Sequence, residues 1–255
     1  MLFRSSDFEG FRGRGGDDLI DGKDGIDRAD YLGSNLGVRV NLAEGKAWAM
    51  GRDPSTLTPS TTLTVVSGTP ANNTIVNASG IPVTDNIGLD TLRSIERIVG
   101  TQYNDYYDAT GFSSTSANAG SNGIWNEFEG RGGNDSLDGG TGNDVLFGEG
   151  GADTFVFAAG NGADLIGDFA IAEDKIELAG FFTSFAQAQA NFVQVGANGA
   201  IDLGNGNLVV LNGVTMANLT AANFIFATPA EPQTPPKPVL SIVEGAAAVL
   251  ESLSF

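Results

Sequence analysis

Residues 130–156 divide into three consecutive nines, GRGGNDSLD, GGTGNDVLF and GEGGADTFV. The sixth position of each is an aspartate (Asp135, Asp144, Asp153) and the eighth is large and apolar (Leu137, Leu146, Phe155). The middle unit fits the pattern G-G-x-G-x-D-x-U-x, with U a large apolar residue, at every fixed position. Each nine therefore has a glycine-rich half that turns and a short half that extends. Glycine reaches positive φ without a Cβ penalty, so Gly139, Gly140 and Gly142 allow a tight turn with inward carbonyls. In an extended segment alternate residues share a face, so Leu146 points into a core while Val145 and Phe147 point away. Ordinary Gly-Asp turns in an antiparallel sheet would not hold an aspartate and an apolar residue in one nine-residue frame three times running. The expectation is a solenoid with two nines per coil, in which residues 18 apart stack and Asp135 lies beside Asp153.

Stacked carboxylates together with turn carbonyls make an all-oxygen cage, which suits a hard cation such as calcium. At this point the stretch resembles the haemolysin-type (RTX) calcium-binding repeat. The segments that follow, GNGADLIGDF (160–169) and EDKIEL (173–178), resemble the end of the roll in the C-terminal domain of serralysin-type secreted metalloproteases. The resemblance implies an all-β fold: a parallel β-roll closed by a small, mainly antiparallel cap. It implies several Ca2+ ions, held by Asp135, Asp144, Asp153 and, two residues out of frame, Asp164. The turn glycines Gly130, Gly132, Gly139, Gly140, Gly142, Gly148 and Gly150 complete the expected metal set. Asp18, Asp27 and Asp105 join it, Asp27 and Asp105 as weaker members because their turns keep fewer glycines; at Asp105, Tyr103 stands where the fourth glycine belongs.

Composition excludes several functions. The chain has no cysteine and no histidine, which removes disulfides, thiolate or imidazole zinc sites, the Ser-His-Asp triad and the H-E-x-x-H protease helix. A net charge of −18 disfavours nucleic acid, whose phosphates require basic clusters, and fits a cation binder. No apolar run approaches the length of a membrane span. The first residues, MLFRSSDFEGFRGRGG, lack the apolar centre of an N-terminal export signal and resemble the ragged end of a truncated repeat, as in a piece of a larger protein.

Along the chain, GRGGDDLID (13–21) and GKDGIDRAD (22–30) form a short N-terminal roll segment, 1–30. Residues 31–99 read as a β-rich insert. Val38, Val40 and Leu42 alternate as in a half-buried strand, a return strand follows Glu44-Gly45, and a polar excursion over 51–86 includes a hairpin of 63–66 with 74–76. The main roll is expected over 100–168. Residues 169–227 read as the cap, with a short helix over 181–192 and two or three antiparallel strands over 193–214 joined by Gly-Asn turns. A proline-rich linker and an apolar tail occupy 228–255.

The functional expectation is a non-enzymatic calcium-binding module of a secreted, extracellular bacterial protein. The resemblance implies passage through a type I secretion apparatus and folding outside the cell on meeting calcium. The alternatives are the non-catalytic part of a secreted metalloprotease, lipase or alginate epimerase, or a fragment of a surface adhesin; in either, host domains are partners in a longer chain.

Overall fold

A computed structural model describes residues 10–12, 18–50, 74–76, 82–84, 88–119, 124–178 and 180–226. Two nine-stranded sheets lie within them. In hydrogen-bonded order the first comprises β1 (Gly10–Phe11), β3 (Arg28–Asp30), β9 (Arg97–Val99), β11 (Glu127–Glu129), β13 (Val145–Phe147), β15 (Ala163–Ile166), β19 (Asn207–Leu211), β18 (Asn198–Gly204) and β17 (Phe192–Val195). The second comprises β2 (Leu19–Asp21), β8 (Leu89–Arg93), β5 (Lys46–Ala49), β4 (Val38–Asn41), β10 (Tyr106–Asp108), β12 (Ser136–Asp138), β14 (Thr154–Val156), β16 (Lys175–Glu177) and β20 (Phe224–Ile225).

Successive strands of the repeat alternate between the sheets, so each coil takes two nines. The stacking is parallel: Leu137 pairs with Phe155 and Phe128 with Leu146, each 18 residues apart. Near the C-terminal end the step lengthens to 20 between Val145 and Leu165 and 21 between Thr154 and Lys175. Between Arg97 and Glu127 it is 30, and between Arg28 and Arg97 it is 69, with the strands still in parallel register. Within the longest step lie β4, β5 and β8, which pair in the second sheet.

The eighth-position residues fill the space between the sheets. Leu137, Leu146 and Phe155 are fully buried there, with Ile98, Phe128 and Ile176 from neighbouring coils. Tyr107 stacks on Phe128 at 5.0 Å. Val38, Val40 and Leu42 are buried as their alternation predicts, and β4 and β5 form the expected antiparallel pair.

The C-terminal block departs from its reading in two ways. The helix expected over 181–192 is one short turn, α1 (Phe185–Gln189), capped by Ser184. Only its Ala-Gln-Ala-Gln core lacks strand preference, and Phe192 is drawn into β17 against Ile201. The meander β17–β18–β19 is antiparallel, yet β19 also pairs in parallel with β15, and β20 with β16. This block thus prolongs both sheets. In the excursion, Thr74–Val76 pairs with Pro82–Thr84; the strand expected at 63–66 and the tail 228–255 lie outside the described residues. No helix among the described residues is long and apolar enough to cross a membrane.

Candidate metal centre

The sixth-position aspartates lie in the turns at the two edges of the roll, joined by a ladder that runs one way. Val38 N–H donates to Asp105 Oδ1 (2.6 Å), Asp105 N–H to Asp135 Oδ1 (2.8 Å), Asp135 N–H to Asp153 Oδ1 (2.8 Å) and Asp153 N–H to Asp174 Oδ1 (2.9 Å). On the other edge Asn126 N–H donates to Asp144 Oδ1 (2.8 Å) and Asp144 N–H to Asp164 Oδ1 (2.9 Å). Each carboxylate thus satisfies a donor on the coil before it. At the N-terminal end Asp18 N–H donates to Asp90 Oδ1 and Asp27 N–H to Glu96 Oε2.

The second carboxylate oxygen distinguishes the turns. Oδ2 of Asp135, Asp144, Asp153 and Asp164 is buried without a hydrogen-bond partner. A buried polar atom in this state is expensive unless something else meets it. The glycines define the space it faces. A Cβ on Gly130 would collide with Asp135 Oδ2 and stand 2.9 Å from the Gly148 carbonyl oxygen. A Cβ on Gly139 would lie 2.7 Å from Asp144 Oδ2, and one on Gly148 would collide with Asp153 Oδ2. Gly140 and Gly142 adopt φ of +72° and +140°, and any Cβ on Gly142 would also run into the Ile124 carbonyl. Gly132 and Gly150 bridge neighbouring turns.

Asp105 differs. Its Oδ1 accepts from Val38 N–H and the Thr101 hydroxyl (2.9 Å), and its Oδ2 from Thr101 N–H (2.7 Å) and the Tyr107 hydroxyl (3.4 Å). Protein donors therefore meet both of its oxygens. Asp174, a residue that the glycine frame does not mark, is likewise complete: its Oδ2 accepts from Ala170 N–H (2.8 Å). Also unmarked are the fifth-position asparagines. Asn104 Oδ1 accepts from Asn134 N–H, Asn134 Oδ1 from Ala152 N–H, and Asn143 Oδ1 from Ala163 N–H. They clamp the same turns in the opposite direction to the aspartate ladder.

The electrostatics follow from burial. Loss of solvent raises the Asp135 carboxyl to about 8, with the like charges of Asp105 and Asp153 adding to it. Burial lifts Asp153 to about 6, reinforced by Asp174, Asp168 and Glu173. Asp144 and Asp164 are pushed up by burial, and Asp164 adds to the effect on Asp144. Burial also carries Asp105 to about 6, against the opposing pull of its hydrogen bonds. Without a cation these turns favour neutral carboxyls; a divalent ion would favour the charged form. The orphaned oxygens, the glycine-lined spaces and the oxygen-only donor set all fit calcium. Among the described residues no three acidic side chains converge, so backbone carbonyls would supply most of the ligands.

Two stacked sheets with edge turns of this chemistry define a parallel β-roll. The family described as the RTX calcium-binding nonapeptide repeat (4 copies) matches residues 11–29 and 129–166, and those stretches are RTX calcium-binding repeats. Among curated proteins, an endo-1,3-1,4-beta-glycanase, EglC, of Rhizobium meliloti (strain 1021) is 42% identical over 75 residues, 29% of this chain and 16% of the glycanase. The chain thus spans a small part of that relative. Among solved structures, the AlgE6R3 subunit of the Azotobacter vinelandii mannuronan C5-epimerase is 26% identical with a TM-score of 0.38, covering 56% of this chain and 91% of that one. The extracellular lipase LipA of Serratia marcescens is 18% identical with a TM-score of 0.34, over 88% of this chain and 39% of the lipase.

Proposed function

We propose that this chain is a non-catalytic module whose roll closes around several calcium ions, as a part of an exported protein. The observation that carries this reading is the set of four buried Oδ2 atoms, on Asp135, Asp144, Asp153 and Asp164, left without donors while each Oδ1 is engaged. On one edge Asp135 and Asp153 would hold cations together with carbonyls of the turns 130–133 and 148–151. On the other, Asp144 and Asp164 would do so with the turn 139–142. Asp18 and Asp27 carry similar turn chemistry and are proposed as further ligands. Asp105, met by Thr101 and Tyr107, is assigned a structural role.

Calcium then acts as a folding switch. A glycine-rich chain loses much entropy on ordering, and buried carboxylates oppose the fold at neutral pH. Each ion at a hundred times its dissociation constant contributes about 2.7 kcal/mol, so several ions tip the balance. Low calcium inside the cell would keep the chain open for a type I secretion apparatus, and higher calcium outside would fold it. The 75-residue likeness to part of a longer glycanase accords with a module carried in a larger protein.

Circular dichroism and titration calorimetry test the switch. Chelator should give a disordered spectrum and millimolar calcium a β spectrum, and Asp144→Ala should bind at least one ion fewer. Identical spectra and melting temperatures in chelator and in calcium would refute the proposal. The export information is assigned to the block C-terminal to the roll; it is tested separately by fusing a passenger to residues 160–255 beside a type I transporter, where secretion is expected. Secretion of a chain ending at Phe157, with none from the fusion, would overturn that part.

A further inference from the structure

The turns along one edge of the roll are of two kinds, and the eighth residue of the nine separates them. In the sheet that follows Asp105, Asp135 and Asp153, parallel register pairs Tyr107 with Leu137 and Leu137 with Phe155. All three side chains are buried in the core. Only the tyrosine carries an oxygen, and that oxygen reaches back to the turn. It lies 3.4 Å from Asp105 Oδ2 and 3.5 Å from the Glu129 carbonyl oxygen.

The first glycine of each turn shows which space the hydroxyl fills. A Cβ on Gly130 would meet Asp135 Oδ2 and the Gly148 carbonyl oxygen, and one on Gly148 would meet Asp153 Oδ2. Those are carboxylate oxygens that no protein donor reaches. A Cβ on Gly100 would likewise meet Asp105 Oδ2 and the Gly130 carbonyl oxygen, but nearest to it, at 2.1 Å, stands the Tyr107 hydroxyl. The phenol oxygen therefore sits among the same atoms, where Leu137 and Phe155 can place none.

Two further positions change with it. At the second residue Arg131 and Glu149 hold φ of +79° and +62°, and at the fourth Gly133 and Gly151 hold +112° and +135°. Thr101 and Tyr103, which occupy these positions before Asp105, are not left-handed; a β-branched residue resists that conformation. Thr101 N–H instead donates to Asp105 Oδ2 at 2.7 Å. A second buried tyrosine repeats the device on another acid of the roll. The Tyr31 hydroxyl donates to Asp90 Oδ2 at 3.1 Å while Asp90 Oδ1 accepts from Asp18 N–H.

We propose that the Tyr107 hydroxyl takes the place of a cation at the Asp105 turn, and that the eighth residue thereby gates which turns of this edge take an ion. A phenol O–H supplies the donor that a buried carboxylate oxygen needs. Calcium would have to stand about 2.3–2.6 Å from its oxygens, in space that the phenol oxygen already holds. The proposal rests on the reading of Oδ2 as a calcium ligand and adds the residue that withholds the ion.

Grafts in the full chain test it. Phe155→Tyr adds one oxygen in the same column as Tyr107, beside Asp153. By titration calorimetry it should bind one calcium ion fewer than the parent, whereas Phe155→Leu should keep the parent's count. In chelator, Phe155→Tyr should also fold at lower osmolyte concentration, because Asp153 Oδ2 gains a donor. The reverse graft, Thr101→Gly with Tyr103→Gly and Tyr107→Leu, should add one ion. Tyr107→Phe, which keeps the ring, should raise the osmolyte needed for folding in chelator without removing an ion. If the parent binds calcium, either graft folding with the parent's ion count, or Tyr107→Phe folding at the parent's osmolyte midpoint, would overturn the gate alone. A parent that binds no calcium would overturn the calcium reading, and the gate with it.

Discussion

Replacing Asp135 by asparagine should change stability in opposite directions with and without calcium. The side chain keeps its shape and its Oδ1, which accepts the Asp105 N–H at 2.8 Å. What changes is Oδ2, buried without a donor against Gly130. In the metal-free fold the carboxyl rises from 3.8 to about 8. The folded state therefore holds its proton at pH 7 while the unfolded chain has lost it. At about 1.4 kcal/mol per pH unit, holding that proton costs on the order of 4 kcal/mol at pH 7. The sign follows directly: below pH 3.8 both states are protonated and nothing is lost, the penalty grows as pH rises from 3.8 to about 8, and it is constant above. Asparagine removes it. Allowing for relaxation and water, D135N should stabilise the calcium-free fold by about 2–4 kcal/mol at pH 7. In saturating calcium the same change deletes a ligand and should cost about 3 kcal/mol. Urea unfolding in calcium and osmolyte-induced folding in chelator, each followed by far-UV circular dichroism, read the two values. In chelator the parent should also gain folded fraction as pH falls from 8 to 5, with Asp153 contributing through its own rise to about 6. An effect of one sign in both solutions would refute the assignment of Oδ2 to the metal.

Other changes separate structural from ligand roles. Thr101→Val removes the hydroxyl that serves Asp105 and should cost about 1.5–3 kcal/mol in chelator and calcium alike, with calorimetric stoichiometry unchanged. Asp174→Ala strips acceptors from Asp153 N–H and Ala170 N–H; the urea midpoint in calcium should fall without loss of an ion. Gly142→Ala meets a φ of +140° and the Ile124 carbonyl, and should cost at least about 2 kcal/mol in calcium-loaded melts.

The repeat was most legible where glycine, aspartate and the apolar residue coincide. Leu137, Leu146 and Phe155 fix the coil length because a two-residue alternation inside a nine-residue frame leaves one inward direction. Coils lacking glycine were not legible from that frame. The unit that persists is an acidic residue two before an apolar one: Asp90 before Leu92, Glu96 before Ile98 and Asp174 before Ile176. In each the acid accepts a backbone N–H from the preceding coil. Glycine marks the turns with room beside the carboxylate, whereas the acid–apolar pair marks the coil itself. The clamping asparagines Asn104, Asn134 and Asn143 escaped notice because asparagine suits almost any turn. The separate cluster of Ala200, Leu208 and Val210 was hidden because NLVVL is apolar at consecutive positions, which shows a buried strand without showing that its two faces join different clusters.

Parallel register survives a step of 69 residues between Arg28 and Arg97 as readily as one of 18 between Phe128 and Leu146. The longer step is made largely of further strands, β4, β5 and β8, which pair in the second sheet; where a connection alone lengthens the step, from 18 to 30 between Arg97 and Glu127, closure at about 0.6 kcal/mol per doubling adds only about 0.4 kcal/mol. Each turn is thereby a potential grafting point. Foreign sequence inserted there would be displayed along the flank of the roll at heights set by the strand spacing, and lineages carrying such a scaffold can lengthen its loops without renegotiating its interior.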